Sequence, residues 1–409
     1  MSTFNSIKKR LSDLRSYLDV DEGVLDYLTK AKSVSKAELD VDGHKIPAWR
    51  IVSNKSLGPG KGGIRFHPDV SEDEVMSLAF WMSLKNSLLE LPYGGAKGGV
   101  RFNPKDHDDS FIEKVSRKYI DSFYSVLGQD KDIPAPDVYT NSQVMSWMLD
   151  QYEKNVGHHE PGMITGKPVE LGGLSLRSDS TAKGAYFVLT EALKTLKEEK
   201  KELKVAIQGF GNAGLNIAKM LYADNFKIVA VNDSRGGVYN ENGVDVNELV
   251  DYKNKYGLVS AFSDYEPIAN EKLLSLDVDI LILGALENQI DEKNASNVKA
   301  RYILELANGP INYEADKILF SNSKFVIPDI LANAGGVLVS YFEWSQNRTG
   351  NIMDDDYLKN LLKERMLKSW HNVYNKYLDL DKKLDLRKSA YILSLERIIK
   401  AEKLRGNLK

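Results

Sequence analysis

The sequence predicts an α/β protein of two domains, and three observations carry that expectation. At 409 residues the chain exceeds one typical domain, and a 42% hydrophobic content is ample for two cores. Strand-like and helix-like patterns alternate along most of the chain. Residues 155–180, NVGHHEPGMITGKPVELGGLSLRSDS, are rich in Gly, Pro and Ser and read as a crossover. We place an N-terminal α/β domain at 1–180, a second α/β domain at 181–344, and C-terminal helices at 345–409 that return to the first.

The first domain opens with one or two amphipathic helices over residues 5–32, with Ile7, Leu11, Leu14 and Leu18 on one stripe. That stripe needs a partner, either the chain's own core or a second subunit. Residues 37–53 read as two strands joined by an Asp42-Gly43 turn. Next come GPGKGGIRFHP and LPYGGAKGG, which place Lys61 and Lys97 in glycine-flanked loops on either side of a helix. Ser71 and Glu74 form a capping-box start for it, and Val75, Met76, Leu78, Ala79, Phe80, Trp81 and Met82 make it apolar nearly all round, hence buried. Lys85 leaves its end. Three amines converging on one pocket repel one another and burial adds to the effect, so at least one should have a lowered pKa, and the expected ligand is small and anionic.

Residues 109–127 read as a helix with Phe111, Val115, Tyr119, Phe123 and Val126 inward. In PAPDVYTNSQ, Pro134 and Pro136 hold the segment extended and set Asp137 at its exit, before Thr140 and Gln143 cap another helix. Asp137 is either a placed carboxylate or ordinary helix-entry chemistry. After the crossover a helix begins near Thr181 and ends in the charge run KEEKKELK.

From Leu203 the pattern is strand LKVAIQGF, helix GNAGLNIAKMLY, strand KIVAVND. Gly209, Gly211 and Gly214 form G-x-G-x-x-G between the first two, and Asp233 ends the third. Glycines permit a tight turn and close approach of a pyrophosphate to helix N–H groups, and the acid accepts ribose hydroxyls. In this βαβ frame the motif predicts a Rossmann-type dinucleotide site. Asp233 favours NAD, while Arg235 can accept the extra phosphate of NADP. Three more strands end in loops carrying Asn288, Asn308 and Asn333, which can bond a nicotinamide carboxamide or simply stabilise turns. Leu358, Leu361, Leu362, Met366, Trp370 and Tyr374 then keep helical spacing, and a last helix runs from about Leu386 to Leu404.

A net charge of −3 with mixed signs offers no field for nucleic acid or anionic lipid. The absence of cysteine fits a reducing cytoplasm and excludes thiolate metal sites. The N-terminus shows neither a signal-peptide h-region nor a membrane span, and the chain reads as cytoplasmic. His44, His67, His107, His158, His159 and His371 include no i, i+4 pair, so no metal site is expected.

From about residue 38 to 345 the chain resembles the glutamate dehydrogenase family, within the wider group acting on glutamate, leucine, phenylalanine and valine. The motifs are GPGKGGIRFHP, LPYGGAKGG, PAPDV, TGKP, GFGNAG, ANGP and ANAGGVLVSYFEW. The resemblance implies that Lys97 is the catalytic lysine and Asp137 its proton-transfer partner. It implies that Lys85 holds the substrate α-carboxylate, that Lys61 and Ser340 hold the side-chain carboxylate, and that Met82 and Pro136 line the substrate. Thr181 and Asn212 match cofactor contacts, with Phe210, Ala213 and Ser234 grouped beside them. The implied reaction is oxidative deamination of L-glutamate to 2-oxoglutarate and ammonia with NAD or NADP, in a homohexamer. Relatives for leucine and phenylalanine carry an apolar residue at the Lys61 position, so a dicarboxylic substrate is expected. A dehydrogenase of a neutral amino acid and a silent nucleotide-binding regulator are the alternatives. Leu176 and Ala182 stand where the family has glycine, Ser180 where it has alanine, and Tyr139 where it has glycine.

Overall fold

A computed structural model describes residues 3–199 and 203–409; Lys200, Lys201 and Glu202 of the expected charge run lie outside the described residues. The chain divides into two units, Met1–Arg177 with Val337–Lys359 and Tyr391–Lys409, and Ser178–Gly336 with Asn360–Ala390. The C-terminal stretch expected whole in the first domain is thus divided, and 360–390 belongs with the second.

In the first unit, Asp42 and Gly43 adopt φ 50° and 84°, the pair of positive values that a two-residue hairpin demands. They join β1 (Ser33–Val41) to β2 (His44–Asn54) in antiparallel register. With β3 (Gly60–Phe66), β4 (Gly95–Val100) and β5 (Asp132–Pro136) these form one sheet in the order β1-β2-β4-β3-β5. β3 runs parallel to both of its neighbours. The helix Glu72–Leu88 packs on β2 and β4 through Trp49, Ile51, Val70, Val75 and Ala79. Helices Asp109–Phe123 and Ser142–Val156 join a separate core with Ile64, Phe66 and Val100.

Local chemistry explains several boundaries. Ser71 accepts the Glu74 N–H at 3.3 Å and starts the helix as expected. Its apolar residues are not buried all round, however: Met76, Leu78, Trp81 and Met82 are only half-buried. The N-terminal segment forms three helices, Thr3–Ser12, Arg15–Leu18 and Glu22–Thr29. Ile7, Leu11 and Leu14 are buried, and the first helix packs against Glu72–Leu88, so the stripe finds its partner within the chain. Val126 lies beyond the end of Asp109–Phe123 and is exposed, not inward. The helix after Asp137 is capped by Asn141, which accepts the Val144 N–H at 3.0 Å, and not by Thr140 or Gln143.

The second unit holds a seven-stranded sheet of β6 (Lys204–Gln208), β7 (Lys227–Asp233), β8 (Gly236–Tyr239), β9 (Glu266–Ile268), β10 (Ile280–Leu283), β11 (Tyr302–Glu305) and β12 (Phe325–Ile327). Its order is β12-β11-β10-β6-β7-β8-β9, parallel from β12 to β7 with an antiparallel edge of β8 and β9. β6 leads to β7 on one side while β10 and β11 lie on the other, so the strand order reverses beside β6. Nucleotides bind at such switch points.

Candidate active site

Lys61 and Lys97 do not sit in loops. Lys61 lies in β3 and Lys97 in β4, neighbouring strands of the first sheet. Glycine marks close approach here and not a turn. The Ile64↔Gly98 register, carried back one residue, sets Lys97 beside Gly63. Side chains alternate along strands, so Lys61 and Lys97 project from one face. That face is the one covered by Glu72–Leu88: a Cβ on Gly99 would come 2.6 Å from Val70 and 2.7 Å from Val75. Lys85 and Met82 lie in the last turns of the same helix.

The opposite face explains Gly98. Arg50, on β2, reaches beneath β4 and β3 to Asp132 on β5, with Nε 2.7 Å from Oδ2, a second contact from Nη2 to Oδ1, and Nη1 3.1 Å from the Gly62 carbonyl. A Cβ on Gly98 would stand 2.5 Å from the Tyr119 hydroxyl and 3.4 Å from Arg50 Nη1. The glycine clears the guanidinium's path. Both partners are 1% exposed, and the bidentate pair ties the two strands together across the sheet.

Asp137 follows β5 directly. Its Oδ2 accepts from Lys97 Nζ, and its Oδ1 accepts from Arg65 Nε at 3.2 Å and from the Val138 N–H at 2.7 Å. A Cβ on Gly63 would meet Asp137 Cβ at 2.9 Å, so only glycine admits the carboxylate there. Burial alone would raise the Asp137 carboxyl, but Lys97 and Arg65 outweigh it and hold it well below the usual carboxylate range. Burial lowers the Lys97 ammonium; Asp137 opposes that shift and Arg65 adds to it.

Lys61 is 2% exposed and donates to Thr165 Oγ1 at 2.9 Å and to the Pro134 carbonyl at 3.4 Å. Burial, then the charges of Arg50 and Arg177, push its ammonium well below the usual lysine range. The expected lowering is present at two lysines: burial is its largest cause, and the cations that add to it are arginines. Thr165 belongs to a segment tied to the helix Gly335–Thr349: Glu343 accepts from the Gly166 N–H at 2.8 Å and from Lys167 Nζ at 2.7 Å. Ser340, buried, lies one turn before Glu343 on that helix, and Pro136 ends β5. Arg65, Thr165 and the Lys167–Glu343 pair were not singled out in the sequence; their signal was position inside the motifs GGIRF, TGKP and VSYFEW.

The second unit carries the nucleotide motif. Gly209, at φ 90°, leaves β6, and a Cβ there would come 2.6 Å from the Ala285 N. Gly214 packs on the Gly209 carbonyl in the first turn of Asn212–Ala223. A Cβ on Gly211 would meet nothing within 4 Å. The fold does not require that glycine, which fits a residue kept bare for a pyrophosphate. Asn232 steadies the turn, accepting the Gly209 N–H through Oδ1 at 2.8 Å and the Phe210 N–H through its carbonyl at 2.7 Å. Phe210 is buried, Ala213 is half-buried at the helix start, and Asn212 donates to the Ser178 carbonyl at 3.0 Å. Thr181 is half-buried in Ser180–Thr195. Asp233 ends β7 and accepts the Arg235 and Val259 N–H groups at 3.0 and 2.7 Å, with Ser234 and Arg235 exposed beside it. Asn333 donates to Asn308 Oδ1 at 3.0 Å, which joins two of the asparagine loops. These residues fit a dinucleotide.

Comparison with known proteins settles the family. The dimerisation-domain model of Glu/Leu/Phe/Val dehydrogenases matches residues 33–154, and the Glutamate/Leucine/Phenylalanine/Valine dehydrogenase model matches 172–406. The chain belongs to this dehydrogenase family. An NADP-specific glutamate dehydrogenase of Synechocystis sp. is 43% identical over 99% of this chain and 97% of its own. A glutamate dehydrogenase of Thermotoga maritima is 43% identical over 99% and 98%, and an NAD-specific one of Staphylococcus aureus 40% identical over 99% and 97%. A hetero-hexameric glutamate dehydrogenase of Thermus thermophilus superposes with TM-score 0.90 at 32% identity, covering 97% of each chain.

Among the dehydrogenase family's motifs, the departures have local explanations. Ala182 is buried inside Ser180–Thr195, where alanine is the better helix former, and Ser180 and Leu176 are buried too. Tyr139 sits at φ 55° in a turn closed by the Thr140 N–H on the Asp137 carbonyl at 3.1 Å, a position where glycine is unstrained. Its ring stacks on His67 with centroids 5.8 Å apart and 9° between planes, and Lys105 Nζ lies 4.8 Å from its centre. Among the described residues no group of three or more His, Asp or Glu is placed to hold a metal ion, and no helix is long and apolar enough to cross a membrane.

Proposed function

We propose that this chain is a glutamate dehydrogenase that interconverts L-glutamate and 2-oxoglutarate plus ammonia, using NAD or NADP. The observation that carries the reading is the contact of Lys97 with Asp137 on the sheet face that also presents Lys61. The nicotinamide, when bound, takes the hydride from the substrate's α-carbon. Everything else falls to the chain. Asp137, held ionised by Lys97 and Arg65, accepts a proton from the substrate nitrogen as the amine becomes an imine and returns one to it as ammonia leaves. Lys97 gives up its proton more readily than an exposed lysine, because burial destabilises its ammonium. As the amine it takes a proton from the water that adds to the imine carbon. As the ammonium it stabilises oxygen charge while ammonia departs and the ketone forms.

Lys61 selects the substrate. A buried ammonium facing an apolar side chain stays unpaired, whereas the distal carboxylate of glutamate supplies its counter-charge, with Ser340 as a second donor. Lys85 supports the α-carboxylate, and Met82 and Pro136 line the carbon chain. Thr181, Gly209–Gly214, Asp233, Ser234, Asn308 and Asn333 would hold the cofactor, with Asp233 toward the ribose and the asparagines toward the carboxamide. We read the chain as a cytoplasmic homohexamer; a hexameric assembly is in keeping with the hetero-hexameric enzyme of Thermus thermophilus.

The test is the absorbance of reduced cofactor with L-glutamate, L-leucine, L-phenylalanine and L-valine, each with NAD and NADP. Turnover with glutamate in preference to the neutral amino acids is expected. Faster turnover of a neutral amino acid would overturn the substrate, and cofactor binding without turnover of any would overturn the reaction.

A further inference from the structure

The helix Leu386–Leu404 carries in its first turn an arginine that the chemistry above does not use. Arg387 belongs to the second unit, is buried, and spreads its guanidinium over three carboxylates of that unit. Nη1 and Nη2 donate to Glu305 Oε2 and Oε1, both at 2.7 Å. Nε and Nη2 donate to Asp316 Oδ2 and Oδ1 at 2.9 and 3.0 Å, and Nη1 reaches Asp329 Oδ1 at 3.2 Å. Two of the acids stand at structural junctions. Glu305 is the last residue of β11, Asp329 the first of the short helix Asp329–Ala332, and Asp316 lies in Tyr313–Ser321 between them.

The acids pass the restraint on to backbone. Glu305 Oε2 accepts the Asp329 N–H at 2.8 Å, and Asp329 Oδ2 accepts the Gly309 N–H at 2.9 Å. The loop 306–309 is therefore fixed at both ends: Glu305 precedes it, and Gly309 closes it. Asn308 rides on that loop, and Asn333 follows directly on the Asp329–Ala332 helix. Asn333 Nδ2 then bridges the two, donating to the Leu306 and Ala307 carbonyls at 3.3 and 3.2 Å besides Asn308 Oδ1.

An arginine gathered with three carboxylates, two of them buried, is a poor way to gain stability. Buried ion pairs seldom outperform well-packed apolar side chains, because desolvation offsets their attraction. Burial, with Asp329 and Asp316 adding to it and Arg387 opposing, pushes Glu305 up to about 7. What such a cluster does supply is direction, since a planar fork fixes the angle as well as the distance of each partner.

We propose that Arg387 is a positioning residue for the nicotinamide end of the cofactor: by gathering Glu305, Asp316 and Asp329 it sets Asn308 and Asn333 where the carboxamide hydrogen-bonds. The proposal rests on the cofactor reading above, and its test needs no amino-acid substrate, so it stands or falls apart from the glutamate reaction. ADP-ribose is NAD without its nicotinamide, and 2′-phospho-ADP-ribose is the same for NADP. Calorimetric titration of the full chain with these four nucleotides separates the two ends of the site. Losing one or two carboxamide hydrogen bonds weakens NAD or NADP about ten-fold.

Arg387→Lys keeps the charge but cannot reproduce the fork. It should weaken the preferred dinucleotide by about that factor and leave the nicotinamide-free nucleotide within about two-fold. Glu305→Gln, which keeps the shape, should give the same split and serves if Arg387→Lys does not fold. Parallel weakening of both nucleotides, or no change in either, would overturn the positioning role. Failure of the native chain to bind any of the four would remove this proposal together with the dinucleotide site.

Discussion

Replacing Lys61 by leucine separates substrate selection from the rest of the chemistry. The native ammonium is 2% exposed and keeps Thr165 Oγ1 at 2.9 Å, so a ligand carboxylate meets a fixed donor with little competing water. A hydrogen bond to a charged partner contributes about 1.5–3 kcal/mol. Its loss should lower kcat/KM for L-glutamate by about 10- to 150-fold. Leucine offers a shorter, apolar wall in place of the ammonium, so kcat/KM for L-leucine should rise. Stability should change in a defined way as well. Burial lowers Lys61 from the ordinary value of 10.5, so the folded chain binds fewer protons than the unfolded one between the lowered pKa and that value. Native stability therefore gains as pH rises through this window, and Lys61→Leu should lose that part of the pH dependence. Steady-state rates with both amino acids, with thermal unfolding at neutral and alkaline pH, measure all of this. An unchanged kcat/KM for glutamate would refute the placement of Lys61 against the distal carboxylate.

Two glycines of the nucleotide turn should behave oppositely. Gly209→Ala meets both a φ of 90° and the Ala285 N at 2.6 Å, so it should lower the melting temperature of the apo chain; Gly211→Ala faces open space and should leave melting unchanged while weakening cofactor binding in a titration. At Tyr139 the left-handed backbone costs roughly 1–2 kcal/mol, and the stack on His67 with the Lys105 contact returns about as much. Denaturant unfolding should therefore place Tyr139→Gly within about 1 kcal/mol of native and Tyr139→Val at least about 2 kcal/mol lower. For Asp137→Asn, loss of the proton acceptor should lower kcat by about 10²- to 10⁴-fold with little effect on cofactor titration.

The second unit was the more legible in sequence because its motif is local. Gly209, Gly211, Gly214 and Asp233 lie within one strand, turn, helix and strand, and each has a steric or hydrogen-bonding reason that can be stated without the fold. The first unit was legible in its residues and misleading in its geometry. Gly-Lys-Gly reads as a loop when chain-breaking is glycine's only known role. In this sheet Gly63 makes room for Asp137, and Gly98 for Tyr119 and Arg50. These approaches join strands far apart in sequence, and no local pattern reports them. Arg65 and Thr165 escaped notice for the same reason: each acts through a partner 72 or 104 positions away. Arg387 is no easier to read, standing 82 residues past Glu305 in the first turn of an otherwise ordinary helix. The same limit applies to the helix Glu72–Leu88, whose composition implied burial on all sides. In the chain itself Trp81 and Met82 are half-covered.

The central claim is that Lys97, in contact with Asp137, performs proton chemistry and does not hold the fold or the cofactor. Turnover of Lys97→Ala with L-glutamate, measured beside its cofactor affinity, tests this most directly. The account predicts an unchanged cofactor Kd with kcat reduced by at least about 10²-fold. A variant that keeps kcat within about ten-fold of native would contradict it, because an amine that can be removed at so small a cost is not the group that activates water.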